Sequence, residues 1–230
     1  MAQPITGISS MATRRVLAEL AQRFEAAAGG RTAIEAVGGV DAAKRVRAGE
    51  PFDVVALASD VMAKLEAEGL VLAGSTVGFV RSAMALAVRA GAPKPDIGDG
   101  EAVKALLAGA RSIGYSTGPS GTHLLEVAKA WGLDPAGDAP RFVQAKPGVP
   151  VAALVALGEA EIGVQQLGEF LDEPGIAIAG LLPAPVQSVT TFSIGVGARS
   201  ARVEDARALI AFLNAAEAAA TKRRLGMEPA

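Results

Sequence analysis

The segment AGEPFDVVALASD, residues 48–60, contains the structural unit that recurs along this chain of 230 residues. A turn-forming Gly-Glu-Pro is followed by an apolar run at Asp53–Leu57, and an amphipathic stretch begins at Asp60. A short apolar run bounded by turn residues predicts a buried strand, and the amphipathic stretch predicts a helix. A strand followed directly by a helix is the repeating unit of an α/β protein with a mostly parallel sheet.

The same alternation extends in both directions from this segment. We predict strands at Ile5–Ile8, Thr32–Val37, Asp53–Leu57, Ser112–Tyr115, Arg141–Gln144, Glu161–Gln165 and Ile176–Leu182. We predict helices near Met11–Ala28, Asp41–Ala48, Asp60–Glu68, Gly121–Trp131, Val151–Leu157 and Val203–Ala220. Ser9 and Ser10 are expected to cap the first helix, and Gly29 and Gly30 are expected to end it.

Two longer segments, Val77–Val88 and Val186–Val196, are rich in residues that favour extended structure. Two architectures fit them: a single larger sheet with two long strands, or two lobes between which both strands pass. In the two-lobe architecture, residues 1–80 together with 190–230 form lobe I, and residues 81–189 form lobe II. A ligand cleft is then expected between the lobes.

Composition excludes several classes of partner. The formal net charge is −2, and no long run of basic residues is present, so neither nucleic acid nor a lipid surface is an expected partner. No apolar segment approaches the roughly 20 residues of a membrane-spanning helix, so we expect no membrane insertion. The chain has no cysteine and no His, Asp or Glu grouping at metal-ligand spacing. We therefore expect a small-molecule partner, no metal and no cofactor.

Small polar or glycine residues follow four of the predicted strands. They are Ser9, Ser10, Gly38, Gly39, Ser116, Thr117, Ser120, Gln165 and Gln166. Ligands of open α/β sheets bind at the carboxyl ends of the strands, and free helix amides with nearby hydroxyls suit an anion. Each stretch alone also fits a simple cap or turn, but their joint placement predicts an anion site. The phosphate motif GxxxxGK[ST] and the nucleophile motif GxSxG are both absent.

The order of these motifs resembles the molybdate-binding-protein-like group of bacterial solute-binding proteins over nearly the whole chain. Residues 48–60 are similar to the family pattern GxPxDVxxSAD, and LGEAEIGV at 157–164 is similar to GEADxGxVY. The resemblance implies a type II periplasmic-binding-protein fold of two α/β lobes, with mixed, mostly parallel sheets joined by two crossing strands. It thus favours the two-lobe architecture, a small oxyanion or carboxylate as ligand, and an ABC permease as partner.

The resemblance also assigns site residues. Ser10, or its neighbour Ser9, matches the family's serine at the start of the first helix. Gly38 or Gly39 stands where a second hydroxyl contacts the anion, and Gln166 stands about where a tyrosine closes the site. The lost hydroxyl and the gained amide predict a ligand larger than molybdate, such as an organic acid. Because some members of the family isomerise small unsaturated acids such as aconitate, an isomerase is the alternative function.

Three further residues are candidates for the site. Arg81 lies in the first crossing strand, where its side chain would either bind a carboxylate through two hydrogen bonds or face solvent at a sheet edge. His123, the one histidine, is a candidate for proton transfer, with packing as the alternative. Glu169 is a second candidate base, with an exposed helix position as the alternative.

The N-terminus gives two possible locations. The chain reaches the predicted strand Ile5–Ile8 without the charged and apolar regions of a secretory signal. We expect a periplasmic protein if a signal has been removed, and a cytoplasmic protein if Met1 is the native start.

Overall fold

The computed structural model describes residues 3–146 and 148–230. Met1, Ala2 and Pro147, which fall within the predicted lobes, lie outside the described residues. The chain divides into two compact units. Unit 1 consists of Met1–Ser82 and Thr190–Ala230, and unit 2 of Ala83–Val189.

The strands alternate with helices along most of the chain. The strands are β1 (Ile5–Ser10), β2 (Thr32–Val37), β3 (Val54–Ala58), β4 (Val77–Arg89), β5 (Ser112–Tyr115), β6 (Arg141–Gln144), β7 (Ile162–Gln166), β8 (Ile176–Leu181), β9 (Val189–Val196) and β10 (Glu228–Pro229). The α-helices are α1 (Arg14–Ala28), α2 (Gly39–Arg47), α3 (Ser59–Ala67), α4 (Gly100–Gly109), α5 (Pro119–Ala130), α6 (Val151–Ala156), α7 (Val203–Leu213) and α8 (Ala219–Arg224). Short 3-10 helices lie at Met11–Thr13, Leu167–Glu169, Ala184–Val186 and Ala216–Ala218.

Unit 1 contains a mixed sheet in the order β2-β1-β3-β9. Strands β1, β2 and β3 are parallel, and β9 runs antiparallel to β3. The short strand β10 pairs with the beginning of β4. Because β1, β2 and β3 are parallel neighbours, their carboxyl ends lie at one edge of the sheet, and α1, α2 and α3 follow from that edge.

Unit 2 contains the second mixed sheet. The latter part of β4 pairs antiparallel with β7 and with β8, and β5 lies parallel between β7 and β6. The carboxyl ends of β5, β6 and β7 therefore share an edge, and the chain enters α5, α6 and a 3-10 helix after them.

Apolar patterning explains these elements. All five residues of β3 are buried, as expected for a central strand with both faces covered. Helix α1 buries Val16, Leu17, Leu20 and Phe24, whose spacing forms one apolar stripe against the core of unit 1. The helix ends at Gly29, which adopts the left-handed conformation at φ 68° that glycine tolerates without steric cost.

Three of the differences between the structure and the predicted elements concern helices. Ser10 lies at the start of the first 3-10 helix, but neither Ser9 nor Ser10 caps a helix through its side chain. Helix α4 was not predicted, although Asp99 Oδ1 accepts a 2.8 Å hydrogen bond from the amide of Ala102 and caps it. The predicted helix Val203–Ala220 is interrupted after Leu213, because asparagine at position 214 favours a helix end.

Candidate functional site

The carboxyl edge of the unit 1 sheet gathers small polar residues. Ser10 ends β1, Gly38 and Gly39 connect β2 to α2, and Ser59 begins α3 directly after β3. We refer to Ser10, Gly38, Gly39 and Ser59 as the unit-1 polar edge. Ser59 was not among the predicted site residues, although its position as the first helical residue after a buried strand matches that of the predicted ones.

The structure distinguishes Ser9 from Ser10. Ser9 is fully buried, and its Oγ donates a 3.3 Å hydrogen bond to the carbonyl of Glu35 in the neighbouring strand. Ser10 Oγ lies 3.5 Å from Thr13 Oγ1, at the limit of a hydrogen bond, while Thr13 Oγ1 is 3.1 Å from the carbonyl of Ser10. The Ser9 hydroxyl is thus used inside the sheet, whereas the Ser10 hydroxyl has hydrogen-bonding capacity left for a ligand.

The Gly38-Gly39 turn lies beside Ser10. A Cβ atom placed on Gly39 would lie 3.8 Å from Ser10 Cβ, so the first turn of α2 and the Ser10 side chain are neighbours. The amides of a first helical turn have no carbonyl partner within the helix, and they favour negative charge. Asp41 also lies in this turn, and its Oδ2 would be 3.4 Å from a Cβ on Gly38. The turn therefore offers amides to an anion and one carboxyl group that opposes it.

Ser59 joins β3 to β9. Its Oγ donates a 3.0 Å hydrogen bond to the carbonyl of Thr191 and lies 2.6 Å from Ser193 Oγ. Because the Ser59 proton is directed to Thr191, the Ser193 hydroxyl is the donor in the second contact. These bonds fix the beginning of β9 close to the point where the chain enters unit 1.

Arg81 is an exposed residue of β4, opposite Glu228 of β10 in the antiparallel register. Its neighbour Ser82 is fully buried, and Ser82 Oγ has no hydrogen-bond partner within residues 3–146 and 148–230. A carboxylate-binding role for Arg81 remains a prediction.

In unit 2 the loop after β5 forms a compact polar turn. Ser116 Oγ lies 3.4 Å from Ser120 Oγ and accepts a 3.3 Å hydrogen bond from the amide of Gly118. Ser120 is 1 % exposed, whereas Thr117 is exposed and Ser116 is half-buried. Proline at the first position of α5 has no N–H, so the first helical amides are those of Ser120 and Gly121.

Gly121 sets the shape of this turn. A Cβ atom at position 121 would lie 1.7 Å from the carbonyl oxygen of Ser116, which is far inside any permitted contact. Only glycine allows the loop backbone to pack this closely against the start of α5. The close packing brings the Ser116 and Ser120 hydroxyls next to the first amides of the helix.

Gln165 and Gln166 end β7 and are both buried, at 2 % and 1 % exposure. Gln165 Oε1 accepts a 3.2 Å hydrogen bond from the amide of Val151 at the start of α6, and its Nε2 donates a 2.6 Å hydrogen bond to Glu169 Oε2. Gln165 thus connects a helix start to a half-buried carboxyl group. We refer to Ser116, Ser120, Gln166 and Glu169 as the unit-2 polar edge.

His123 faces the interior of unit 2. Its Nε2 lies 3.2 Å from the carbonyl oxygen of Val186, and the ring lines a small apolar void together with Met84, Leu107 and Trp131. This environment is that of a packing residue that links α5 to the segment before β9. Proton transfer by His123 remains a prediction that these contacts do not favour.

Within the described parts of the chain, no three His, Asp or Glu side chains are grouped so that they could bind a metal ion. No helix among these residues has the length and apolar character needed to cross a membrane.

Comparison with known proteins places the chain in a family. The family model described as "Bacterial extracellular solute-binding protein" matches residues 5–228. The chain belongs to this family. A curated relative from a Pseudomonas species, named aconitate isomerase, is 36% identical over 99% of this chain and 90% of its own length.

Solved structures of this family of folds superimpose on nearly the whole chain. The periplasmic molybdate-binding protein of Azotobacter vinelandii has a TM-score of 0.76 at 19% identity and covers 97% of this chain and 98% of its own. A tungstate ABC transporter structure from Geobacter sulfurreducens has a TM-score of 0.72 at 19% identity and covers 94% of this chain and 96% of its own. At these identities the similarity shows the fold.

These findings confirm the predicted fold class and the predicted resemblance. The chain is a mixed α/β member of the solute-binding family with the periplasmic-binding-protein fold, similar both to molybdate-binding proteins and to an aconitate isomerase.

Proposed function

We propose that this solute-binding protein captures a small organic acid with more than one carboxylate, and that the unit-1 polar edge and the unit-2 polar edge are its candidate carboxylate-binding groups. Each edge lies at the carboxyl ends of parallel strands, where ligands of open α/β sheets bind. The observation that carries the proposal is the turn at Ser116–Gly121, which combines two hydroxyls with free amides at the start of a twelve-residue helix.

The composition of the edges supports a carboxylate over molybdate. Gly38 and Gly39 carry no hydroxyl at the position where the family resemblance leads us to expect one, and Gln166 replaces the expected tyrosine. Val40, next to the glycines, has an aliphatic side chain that is 50% exposed. Fewer hydroxyls and an exposed apolar group suit a ligand with a carbon skeleton better than a compact tetrahedral oxyanion.

A second candidate function is isomerisation of an unsaturated di- or tricarboxylic acid such as aconitate. The similarity to a relative named aconitate isomerase supports it, and so does the carboxyl group of Glu169 within the unit-2 polar edge. A base that removes a proton from a CH₂ group and returns one to the vinylic carbon moves the double bond without gain or loss of atoms. Glu169 is the candidate for this transfer, and the reaction would require no cofactor.

For the transport role, the ligand-loaded protein would deliver its solute to an ABC permease. The isomerase role requires no such partner.

Thermal-shift measurements with a panel of anions test the proposed ligand class. We expect citrate, cis-aconitate and trans-aconitate to raise Tm, because a ligand that binds only the folded state stabilises it, and we expect molybdate, tungstate and sulfate to have smaller effects. Ser120→Ala should reduce the shift. Ser112→Ala, at the opposite end of β5, is the matched control and should leave the shift unchanged. Strong stabilisation by molybdate with none by carboxylates would contradict the proposal.

Incubation with cis- or trans-aconitate, followed by proton NMR, tests the second candidate. Interconversion of the two isomers would identify an isomerase. Tight binding of aconitate without interconversion would contradict the isomerase role and support the solute-binding role alone.

A further inference from the structure

Unit 1 contains a groove of about 500 Å³ that no residue of the unit-1 polar edge lines. Its wall combines the cationic side chains of Lys222 and Arg207 with the Asn214 amide and the aliphatic side chains of Val77 and Ile210. Pockets of roughly 300 to 1,000 Å³ with mainly apolar walls and a few polar groups are typical of small-molecule sites. The volume of this groove falls in that range, and its wall combines polar and apolar groups in similar proportion.

Lys222 is the most unusual residue in the groove wall. The residue is 2% exposed, and its Nζ donates hydrogen bonds of 2.8 Å to the carbonyl of Phe79 and 2.9 Å to Asn214 Oδ1. The Nζ also lies 4.4 Å from the centre of the Phe79 ring. All of these partners are neutral. An ammonium group has three donors, and these hydrogen bonds use two of them.

The charge of Lys222 is not balanced by an acidic side chain. In the parts of the chain that the structure describes, Lys222 and Arg207 make no ion pair, and no Asp or Glu side chain lines the groove, whose wall also includes Pro229 and Ala230. Burial of an ammonium without a counter-charge is costly, and desolvation lowers the pKa of Lys222 to about 8. An anion beside Lys222 would offset that cost.

Arg207 and the aliphatic wall indicate the kind of anion. Arg207 is an exposed residue of α7, and its planar guanidinium matches the two oxygens of a carboxylate. Val77 is 42% exposed and provides an apolar surface next to the cations. The groove thus presents a positive end and an apolar wall.

We infer that this groove is a second ligand site, which binds a monocarboxylate with a short aliphatic tail. The carboxylate would contact Lys222 and Arg207, and the tail would lie along Val77 and Ile210. This ligand differs in class from a compact polycarboxylate, and the inference does not depend on the function proposed for the polar edges.

Isothermal titration calorimetry on the full chain tests the inference with hexanoate as the probe. Three control ligands separate the two halves of the interaction. Acetate carries the carboxylate without the aliphatic tail, 1-hexanol carries the tail without the carboxylate, and inorganic phosphate is a different oxyanion. We expect saturable hexanoate binding at one site, with acetate and hexanol each weaker by at least about tenfold because each lacks one half of the interaction. Phosphate should bind more weakly than hexanoate.

Variants connect the binding to the groove. Arg207→Ala should weaken hexanoate binding by about fivefold or more, and Lys222→Met should abolish it. Lys129→Ala, which removes one positive charge from an exposed position on α5 in unit 2, is the charge-matched control and should bind hexanoate as the unaltered protein does. Because Lys222 is buried, Lys222→Met is to be checked by circular dichroism, and the exposed Arg207→Ala decides the question if Lys222→Met does not fold.

Three results would overturn the inference. They are the absence of saturable hexanoate binding, an affinity that Arg207→Ala leaves unchanged, and phosphate binding that equals or exceeds hexanoate binding. None of them bears on the polycarboxylate panel, so failure here is distinguishable from failure of the proposed function.

Discussion

Gln165 holds Glu169 through a hydrogen bond of 2.6 Å from its side-chain amide to Glu169 Oε2, while its own carbonyl oxygen is fixed by the amide of Val151. A buried amide anchored to the backbone in this way presents its NH₂ group in one direction only. Glu169 is therefore a carboxyl group with a defined orientation, which is what a general base requires and a solvent-exposed helix residue does not have.

The first prediction concerns Glu169→Gln. If Glu169 moves the proton in an isomerisation of aconitate, this change should lower kcat by about 10² to 10⁴, because the amide cannot accept the proton. Binding of aconitate should be retained within a few fold. The measurement is the initial rate of interconversion by NMR, together with calorimetric affinity. Glu126→Gln, at an exposed position on α5, is the control. Unchanged turnover in Glu169→Gln would remove Glu169 from the mechanism.

The second prediction separates Ser9 from Ser10. Ser10→Ala should weaken binding of a polycarboxylate by about three- to tenfold, with little loss of stability, since its hydroxyl is only weakly engaged within the protein. Ser9→Ala should lower the free energy of unfolding by about 1 kcal/mol, because it removes the hydrogen bond to Glu35. Affinity in Ser9→Ala should stay unchanged. Calorimetry and urea unfolding of both variants test the pair, and a reversed pattern would show that the wrong serine has been assigned to the ligand.

The third prediction concerns Gly121→Ala. The new Cβ would lie 1.7 Å from the carbonyl oxygen of Ser116, so the loop must move, and we expect a loss of stability of about 2 kcal/mol or more together with loss of ligand binding. Gly109→Ala, at the end of α4, meets no atom within 4 Å and should be neutral or stabilising by about 0.5 kcal/mol. The measurements are urea midpoints and thermal shifts with citrate. Equal stability of Gly121→Ala and Gly109→Ala would contradict the close packing of Gly121 against the Ser116 carbonyl oxygen.

The fourth prediction concerns the opposing charge in the first turn of α2. Asp41→Asn should increase the affinity for an anionic ligand by about two- to fivefold, and the gain should shrink as salt is raised, because screening weakens the repulsion. Stability should fall slightly, since an acidic residue in a first helical turn interacts favourably with the helix dipole. Asp96→Asn, in a turn of unit 2, removes the same charge and should not alter affinity. A decrease in affinity for Asp41→Asn would place the anion away from this turn.

The fifth prediction is the pH dependence that Lys222 confers on stability. Burial lowers its pKa from 10.5 to about 8 in the folded protein. Between these two values the unfolded chain binds a proton that the folded chain lacks, so the free energy of unfolding should rise with pH through this window and level off below about pH 8. The contribution is of the order of 3 kcal/mol. Urea unfolding across this pH range should show the rise, and Lys222→Met should lack it. If Lys222→Met shows the same rise in the free energy of unfolding with pH as the unaltered protein, groups other than Lys222 cause that rise.

Much of the fold could be predicted from local sequence. The strands Thr32–Val37, Ser112–Tyr115 and Arg141–Gln144 lie where the apolar runs predict them, because each is bounded by residues that end a strand. Helix α4 escaped prediction because Gly98 and Gly100 flank its capping residue Asp99, and glycines on both sides of an Asp indicate a turn as readily as a helix start.

The candidate site was predicted only in part. That Ser10, Gly39, Ser116, Ser120 and Gln166 follow strands is a property of the sequence, and the sharing of an edge within each unit follows from the parallel pairing of those strands. The hydrogen-bond partners of these side chains could not be predicted from the sequence, because bonds such as those of Ser9 to Glu35 and His123 to Val186 join residues far apart in the chain.

The sequence by itself determined the alternation of strands and helices, the family, and the placement of hydroxyls, amides and glycines at strand ends, because these depend on local periodicity and on turn chemistry. Only the tertiary structure decided which of those groups are already engaged: Ser9 within its sheet, Gln165 between Val151 and Glu169, and His123 against the core of unit 2. It also brought the Lys222 ammonium into hydrogen bonds with the carbonyl of Phe79 and the side chain of Asn214, without an acidic partner. The physical reason is that hydrogen bonding and desolvation depend on neighbours in space, and those neighbours come from segments that the chain brings together only when it folds.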